Sequence, residues 1–280
     1  MMMTGNIYLD LTNEFNDGEL RAILSEDLAV VVHGLAFSSK DGDWIVRETP
    51  EALDHILRVL ASHGARYRMG APLDVRWMSS GWSAHFEFSH EGNRVRCDFV
   101  TRPPRLAGAD LAALWQEHER SEALEEPVPT LDLRRLAELE KTDWERDYPL
   151  IGEIARRLPP SQEVLLSRSA RDLIALWPGF SAHEQEQFTS QRPLLREIER
   201  GRRALEVALD GERRKLMELN QYRLAAYERA ALSWSKTWSS IKSEMAAMPL
   251  LQGHAVLVIA VPTAIVLAGL APSSNRGRRY

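Results

Sequence analysis

The sequence predicts an α+β fold: a mixed sheet with helices, followed by a mostly α-helical C-terminal domain. Three observations predict it. Between Ile7 and about Arg105, short β-like runs alternate with helical stretches. From about Leu111 onward the chain reads almost wholly as helix, rich in Ala, Leu, Glu and Arg. Between these parts, Arg120–Thr130 (RSEALEEPVPT) combines two prolines with an acidic cluster, the composition of a linker. The expected division is a first domain at 1–120, a linker at 121–130, a helical domain at 131–250, and an apolar segment with a basic tail at 251–280.

Taken in order, Leu28–Val32 (LAVVV) is a short apolar run expected as a buried strand, and Asp43–Arg47 (DWIVR) is a second strand. Thr49-Pro50-Glu51 opens a helix, with Thr as N-cap, Pro at the first helical position and Glu in the first turn. Leu53, Ile56, Leu57 and Leu60 give that helix its apolar stripe, and Gly64 sits where a C-terminal cap belongs. Leu73–Met78, Ala84–Ser89 and Arg94–Thr101 are three further expected strands, with Glu91-Gly92-Asn93 as a hairpin turn between the last two. In the second half, Met217, Asn220, Leu224, Tyr227, Ala231, Trp234, Trp238, Ile241, Met245 and Met248 follow alternating three- and four-residue spacing. That seam is expected to pack within the chain, a dimer seam being the alternative.

Composition excludes several classes. The 280 residues hold 35 Lys plus Arg against 40 Asp plus Glu, a net charge of −5, so the chain is no whole-length polybasic nucleic-acid binder. The single cysteine, Cys97, cannot form an internal disulfide and is expected in the core. Met1–Asp10 has no basic region followed by an apolar run, so a cytoplasmic location is expected. Ala255–Ala271 carries no charge; as a helix it would reach ~25 Å against a hydrocarbon core of ~30 Å. A buried terminal segment is expected there, with membrane contact by residues 255–271 as the alternative.

The sharpest local feature is Ser39-Lys40-Asp41-Gly42-Asp43-Trp44. Two carboxylates two residues apart at the start of a strand share a face, ~6.5–7 Å apart at Cα, within reach of one divalent ion or a pair, a solvated turn being the alternative. Gly42 between them allows a close backbone approach to a ligand. A third acid, Asp98, lies within the strand-like run RVRCDFVT, where an unpaired carboxylate is costly. Arg94, Arg96 and Asp98 share one face of that strand; Val95, Cys97 and Phe99 share the other. Asp98 either pairs with an arginine, on its own strand or across it, or completes a three-carboxylate magnesium site with Asp41 and Asp43. No G-x-S-x-G, P-loop or G-x-G-x-x-G is present.

At these residues the sequence resembles the nucleotidyltransferase superfamily with the DNA polymerase β-type fold. The nearest look is to small prokaryotic members, including those of abortive-infection and toxin–antitoxin systems, whose acidic motif reads S/T-K-D-x-D. Ser39-Lys40-Asp41-Gly42-Asp43 has that form, His33-Gly34-Leu35-Ala36 stands where a helix-opening Gly-Gly-x-Ala would, and the helix from Pro50 and the strand holding Asp98 follow in order. The resemblance covers about residues 10–106. It implies a nucleotidyltransferase-like fold and a bacterial enzyme in which Asp41, Asp43 and Asp98 are catalytic and bind Mg²⁺. His33, Gly34, Lys40, Arg47 and Arg96 would bind the NTP substrate, with Arg94 a further candidate. An NMP would pass to an acceptor, whether RNA, protein or a small molecule. The alternative is a catalytically inactive protein on the same fold that binds a partner protein. The charged clusters Lys141–Tyr148, Arg168–Asp172, Arg200–Arg203 and Arg213–Lys215 are expected as solvated helix surface, with an acceptor-holding basic face as the alternative.

Overall fold

The computed structural model describes residues 6–37, 39–120 and 127–261. Most of the expected linker and the apolar and basic tail beyond 261 lie outside the described residues. The chain divides into two compact units: Met1–Leu131 together with Ala226–Tyr280, and Asp132–Ala225.

The first unit is a mixed sheet with helices, as the sequence predicts. Its elements are α1 (Ile7–Phe15), β1 (Ala22–Ser25), α2 (Glu26–Val32), β2 (Gly42–Val46), α3 (Pro50–Ser62), β3 (Arg66–Gly70), α4 (Val75–Met78), β4 (Ala84–His90), β5 (Asn93–Val100), α5 (Ala109–Glu117), β6 (Glu119–Arg120) and β7 (Pro129–Thr130). The strands form one seven-stranded sheet in the order β3-β4-β5-β2-β1-β7-β6. β2 runs parallel to β5 and antiparallel to β1, while β3, β4 and β5 form an antiparallel meander. The β4–β5 turn is a two-residue loop: His90 pairs with Asn93, and Glu91 and Gly92 take φ of 50° and 79°, the left-handed values that such a hairpin requires.

Strand alternation gives the middle of this sheet two unlike faces. Trp44, Phe86, Phe88, Val95, Cys97 and Phe99 are buried on one. There the rings of Trp44 and Phe99 stack at 5.3 Å, Phe15 of α1 meets both edge-on, and Ile56 and Leu60 of α3 join the same core. The Trp44 indole N–H donates to Thr12 Oγ1 at 2.9 Å, so the one polar atom of that ring is satisfied inside the core. The opposite face carries Asp43, His85, Glu87, Arg96 and Asp98.

α3 begins and ends as its sequence dictates: Thr49 Oγ1 accepts from the Ala52 amide at 3.2 Å, and Gly64 follows the helix with φ +69°. Two expected strands are helices instead. Leu28–Val32 lies in α2, buried on all sides, and a five-residue apolar run has too few residues for its period to distinguish the two forms. Residues 75–78 of the expected strand Leu73–Met78 form α4, because the Asp74 carboxylate caps the Arg76 amide at 2.9 Å and starts a helical turn. α1, β1 and β3 are further elements of the unit that carry no strong signal in the sequence, and β7 lies where a linker is expected.

The second unit is helical: α6 (Leu133–Leu139), α7 (Tyr148–Ala155), α8 (Pro160–Leu166), α9 (Ala170–Leu176), α10 (Ala182–Gln191) and the first part of α11 (Arg202–Met245). Its core gathers Val164, Leu173, Phe188, Leu195, Leu205 and Leu209. The later part of α11 and α12 (Leu250–Ala260) belong to the first unit, where Trp234, Met245, Leu250 and Leu257 are buried and Tyr227, Ala231, Trp238 and Ile241 pack against them. From Tyr227 onward the predicted seam therefore packs within the chain. No helix among the described residues is long and apolar enough to cross a membrane.

Candidate functional site

Register assembles the polar face. Asp43 of β2 lies opposite Asp98 of β5, and Asp98 lies opposite His85 of β4, so three chemistry-bearing side chains form one row across three adjacent strands. One step along the face, Arg96 lies opposite Glu87, and Asp41 precedes β2 at the same level. The two acids of the D-x-D motif and the later strand acid are thus brought together.

The partners of the three acids differ. Arg96 reaches the Asp41 carboxylate at 3.3 Å. Asp98 receives the Arg68 guanidinium on both oxygens, at 2.8 and 2.9 Å, and the His85 Nδ1 at 2.9 Å. Burial pushes the Asp98 carboxyl up, but the hydrogen bonds and charges of His85 and Arg68 outweigh it and hold the group below its usual range. Asp43 has no hydrogen-bonding or cationic partner among the described residues. Burial pushes its carboxyl well above the usual range, and the charges of Glu26, Asp98, Asp27 and Asp41 push it the same way. Glu26 takes φ +49° where β1 turns into α2, a left-handed conformation uncommon for a residue with a Cβ.

A divalent cation fits this donor set at Asp43. A buried carboxylate without a partner among the described residues, pushed further by the charges of nearby acids, is a group that a hard cation with oxygen ligands would relieve. Asp41 and Asp43 are the groups that would hold it, while both oxygens of Asp98 are engaged by Arg68 and His85. As the side chains stand, no three His, Cys, Asp or Glu among the described residues are gathered as a ready-made metal cage.

The remaining expected nucleotide-binding residues fall in different places. His33 and Gly34 end α2 instead of opening a helix: the Gly34 and Leu35 amides donate back to the Val31 and Val30 carbonyls at 2.9 and 3.0 Å, and Gly34 has φ +67°. The His33 Nε2 lies 2.8 Å from the Leu131 carbonyl. The helix that opens beside the acids is α2 itself, at Glu26 and Asp27, since Ser25 lies opposite Asp43. Lys40 is exposed just before the acids, its carbonyl accepting from the Tyr8 hydroxyl at 2.9 Å. Arg47 closes β2, with its Nε on the Leu20 carbonyl at 2.5 Å and its guanidinium 4.6 Å above the Trp115 ring. Arg94 pairs with Glu87. Gly42 is required by packing and not by ligand approach, because an added Cβ would strike the Trp44 ring and come within 2.6 Å of the Tyr8 ring.

Sequence reasoning missed Arg68, His85, Ser83, Glu26 and Asp27. The available signal was alternation, which puts His85 on the polar side of the Ala84–Ser89 strand. In the second unit the predicted charged clusters are internally paired: Arg213 with Glu145 and Asp210, Arg202 with Glu206, Arg168 and Arg192 with Glu212.

No protein-family model and no curated protein matches the chain. Among solved structures, it is similar to a Helicobacter pylori protein assigned as a nucleotidyltransferase, with a TM-score of 0.39 and 13% identity over 78% of this chain and 99% of that one. It is also similar to JHP933 from Helicobacter pylori, with a TM-score of 0.38 and 13% identity over 81% of this chain and 100% of that one. The functional reading rests on the site itself.

Proposed function

We propose that this protein is a Mg²⁺-dependent nucleotidyltransferase that moves an NMP from an NTP to an acceptor hydroxyl. The observation that carries the reading is the unpartnered Asp43 carboxylate, facing Asp98 in register and flanked by Asp41. Mg²⁺ held by Asp41 and Asp43 would neutralise a triphosphate and draw charge from the reacting phosphorus. Lys40 and Arg96, at the Asp41 end, are the cations for the departing pyrophosphate. Asp98, fixed by Arg68, orients His85 on the other side of the row. The resemblance of the S-K-D-x-D segment to small prokaryotic nucleotidyltransferases, including those of toxin–antitoxin and abortive-infection systems, supports the same reading, that of a bacterial, cytoplasmic enzyme.

A second reading, an inactive member of that fold that binds a partner protein, is favoured by one observation. The helix opening beside the acids carries Glu26 and Asp27, and these repel a triphosphate where a nucleotide site usually presents bare amides. Calorimetric titration of the full chain with each of the four NTPs in Mg²⁺ separates the two. Binding to the wild type that is lost in Asp43→Asn supports the transferase; no binding to either protein supports the partner-binding reading.

A further inference from the structure

The row of acids continues into a serine. Ser83, at the mouth of β4, places its Oγ 2.7 Å from His85 Nε2, and His85 Nδ1 lies 2.9 Å from Asp98 Oδ1. A neutral imidazole has one donor nitrogen and one acceptor nitrogen. In the neutral form of His85 the contact to a carboxylate makes Nδ1 the donor, so Nε2 accepts from the Ser83 hydroxyl: a nucleophile, a base and an orienting acid in hydrogen-bonded sequence. Gly70 keeps the imidazole in place. It has φ +89° and faces the ring, and an added Cβ would come within 2.6 Å of both His85 Cδ2 and the Ser83 carbonyl oxygen. The second ion-pair partner of Asp98, Arg68, leaves the Asp98–His85 contact intact.

The position of Ser83 on the face matters as much as its partner. β4 runs antiparallel to β5 and β5 parallel to β2, so Ser83, two residues before His85, lies on the far side of the Asp43–Asp98–His85 row from Asp41 and Arg96. Phosphoryl transfer needs the attacking and leaving oxygens on opposite sides of phosphorus. A nucleotide whose α-phosphate sits on the row, with its outer phosphates toward Lys40 and Arg96, meets Ser83 from the attacking side.

We propose that Ser83 is the chain's own acceptor hydroxyl, so that the protein transfers an NMP to itself; this rests on the nucleotide reading given above. The Ser83 Oγ forms a bond to the α-phosphorus while the bond from that phosphorus to the α,β-bridging oxygen breaks. Pyrophosphate leaves with the electron pair of the broken bond, and the hydroxyl proton passes to His85 Nε2. His85, which takes that proton, is the general base, and Asp98 acts through His85 as a positioning residue.

The test uses the full chain in three measurements. Incubation with the four NTPs and Mg²⁺, followed by peptide mass spectrometry, is expected to find an NMP adduct on Ser83, lost in Ser83→Ala and recovered on the new hydroxyl in Ser83→Thr. Labelling with a fluorophosphonate, without nucleotide or metal, is expected on Ser83 and slowed roughly 100-fold in His85→Gln. Calorimetry with NTP and Mg²⁺ is expected to show binding by Ser83→Ala equal to wild type. Binding without an adduct on Ser83 overturns the acceptor and leaves the transferase reading standing. Fluorophosphonate that spares Ser83 overturns the relay. Fluorophosphonate labelling of Ser83 in a chain that binds no NTP overturns the transferase reading, and the acceptor role with it.

Discussion

The two units each contain a carboxylate deep among other charges, and the two carboxylates are opposites. In the second unit Glu212 lies between Arg168 and Arg192; burial raises its carboxyl, but the two guanidinium groups hold it below the usual range. In the first unit the charges of Glu26, Asp27, Asp41 and Asp98 act on Asp43, which has no cation on it among the described residues, and its carboxyl is raised. Charge inside a fold is tolerated when it is compensated. Compensation by the chain itself, as at Glu212, marks structure; a buried carboxylate without such compensation, as at Asp43, is the feature on which the proposed binding site rests.

The strongest way to break this comparison is to make the same change at both places. Glu212→Gln leaves two arginines, of which Arg192 is only 6% exposed, without their counter-charge. The account predicts a loss of roughly 3–5 kcal/mol, read as a lower urea midpoint at constant slope. Asp43→Asn removes repulsion and is expected to raise that midpoint while abolishing nucleotide binding. Equal signs for the two substitutions would dissolve the distinction.

The pH dependence sharpens it. The Glu212 carboxyl is lowered on folding, so its stabilisation is present above the ordinary glutamate value and is lost as pH falls through the folded value. The Asp43 carboxyl is raised on folding, so the folded state is favoured below the ordinary aspartate value and loses that contribution as pH rises through the folded value. Stability difference curves of each variant against wild type, measured from pH 3 to 8, should therefore slope in opposite directions.

A smaller effect is expected at α12. The Tyr67 hydroxyl accepts from the Leu73 amide at 2.9 Å and so donates to His254 Nδ1 at 2.7 Å, which needs a neutral imidazole. Burial lowers the His254 value, so stability is present above the ordinary histidine value of 6.5 and falls as pH drops below it. His254→Gln should flatten that fall, and an unchanged profile in the variant would remove the assignment. The smallest effect is expected from Glu26→Gly, which relaxes a left-handed φ and removes one repelling acid beside Asp43. It should be neutral to slightly stabilising, as measured by thermal melting, and a clear loss would show the Glu26 side chain to be structural.

Much of this contrast was legible before the fold. The S-K-D-x-D segment entering a strand and Asp98 within a second strand are local patterns, and alternation put Asp41 and Asp43 on one face of their strand and Asp98 on the polar face of its own. What local pattern cannot supply is register between strands distant in sequence. The pairing of Asp43 with Asp98, and of Asp98 with His85, depends on where β2 docks on β5, and that follows from how Trp44, Phe86 and Phe99 pack beneath. Arg68, on a strand without clear alternation, was invisible for the same reason. The short run Leu28–Val32 gave α2 the wrong form, and with it His33 and Gly34 the wrong end of a helix.

The central claim is that the excess charge at Asp43 awaits a divalent cation. Its most direct test is the thermal midpoint of the full chain with and without millimolar Mg²⁺, in wild type and in Asp43→Asn, at constant ionic strength. The account predicts a Mg²⁺-dependent rise in the wild type that is absent from the variant. An equal rise in both proteins, or none in either, would contradict it.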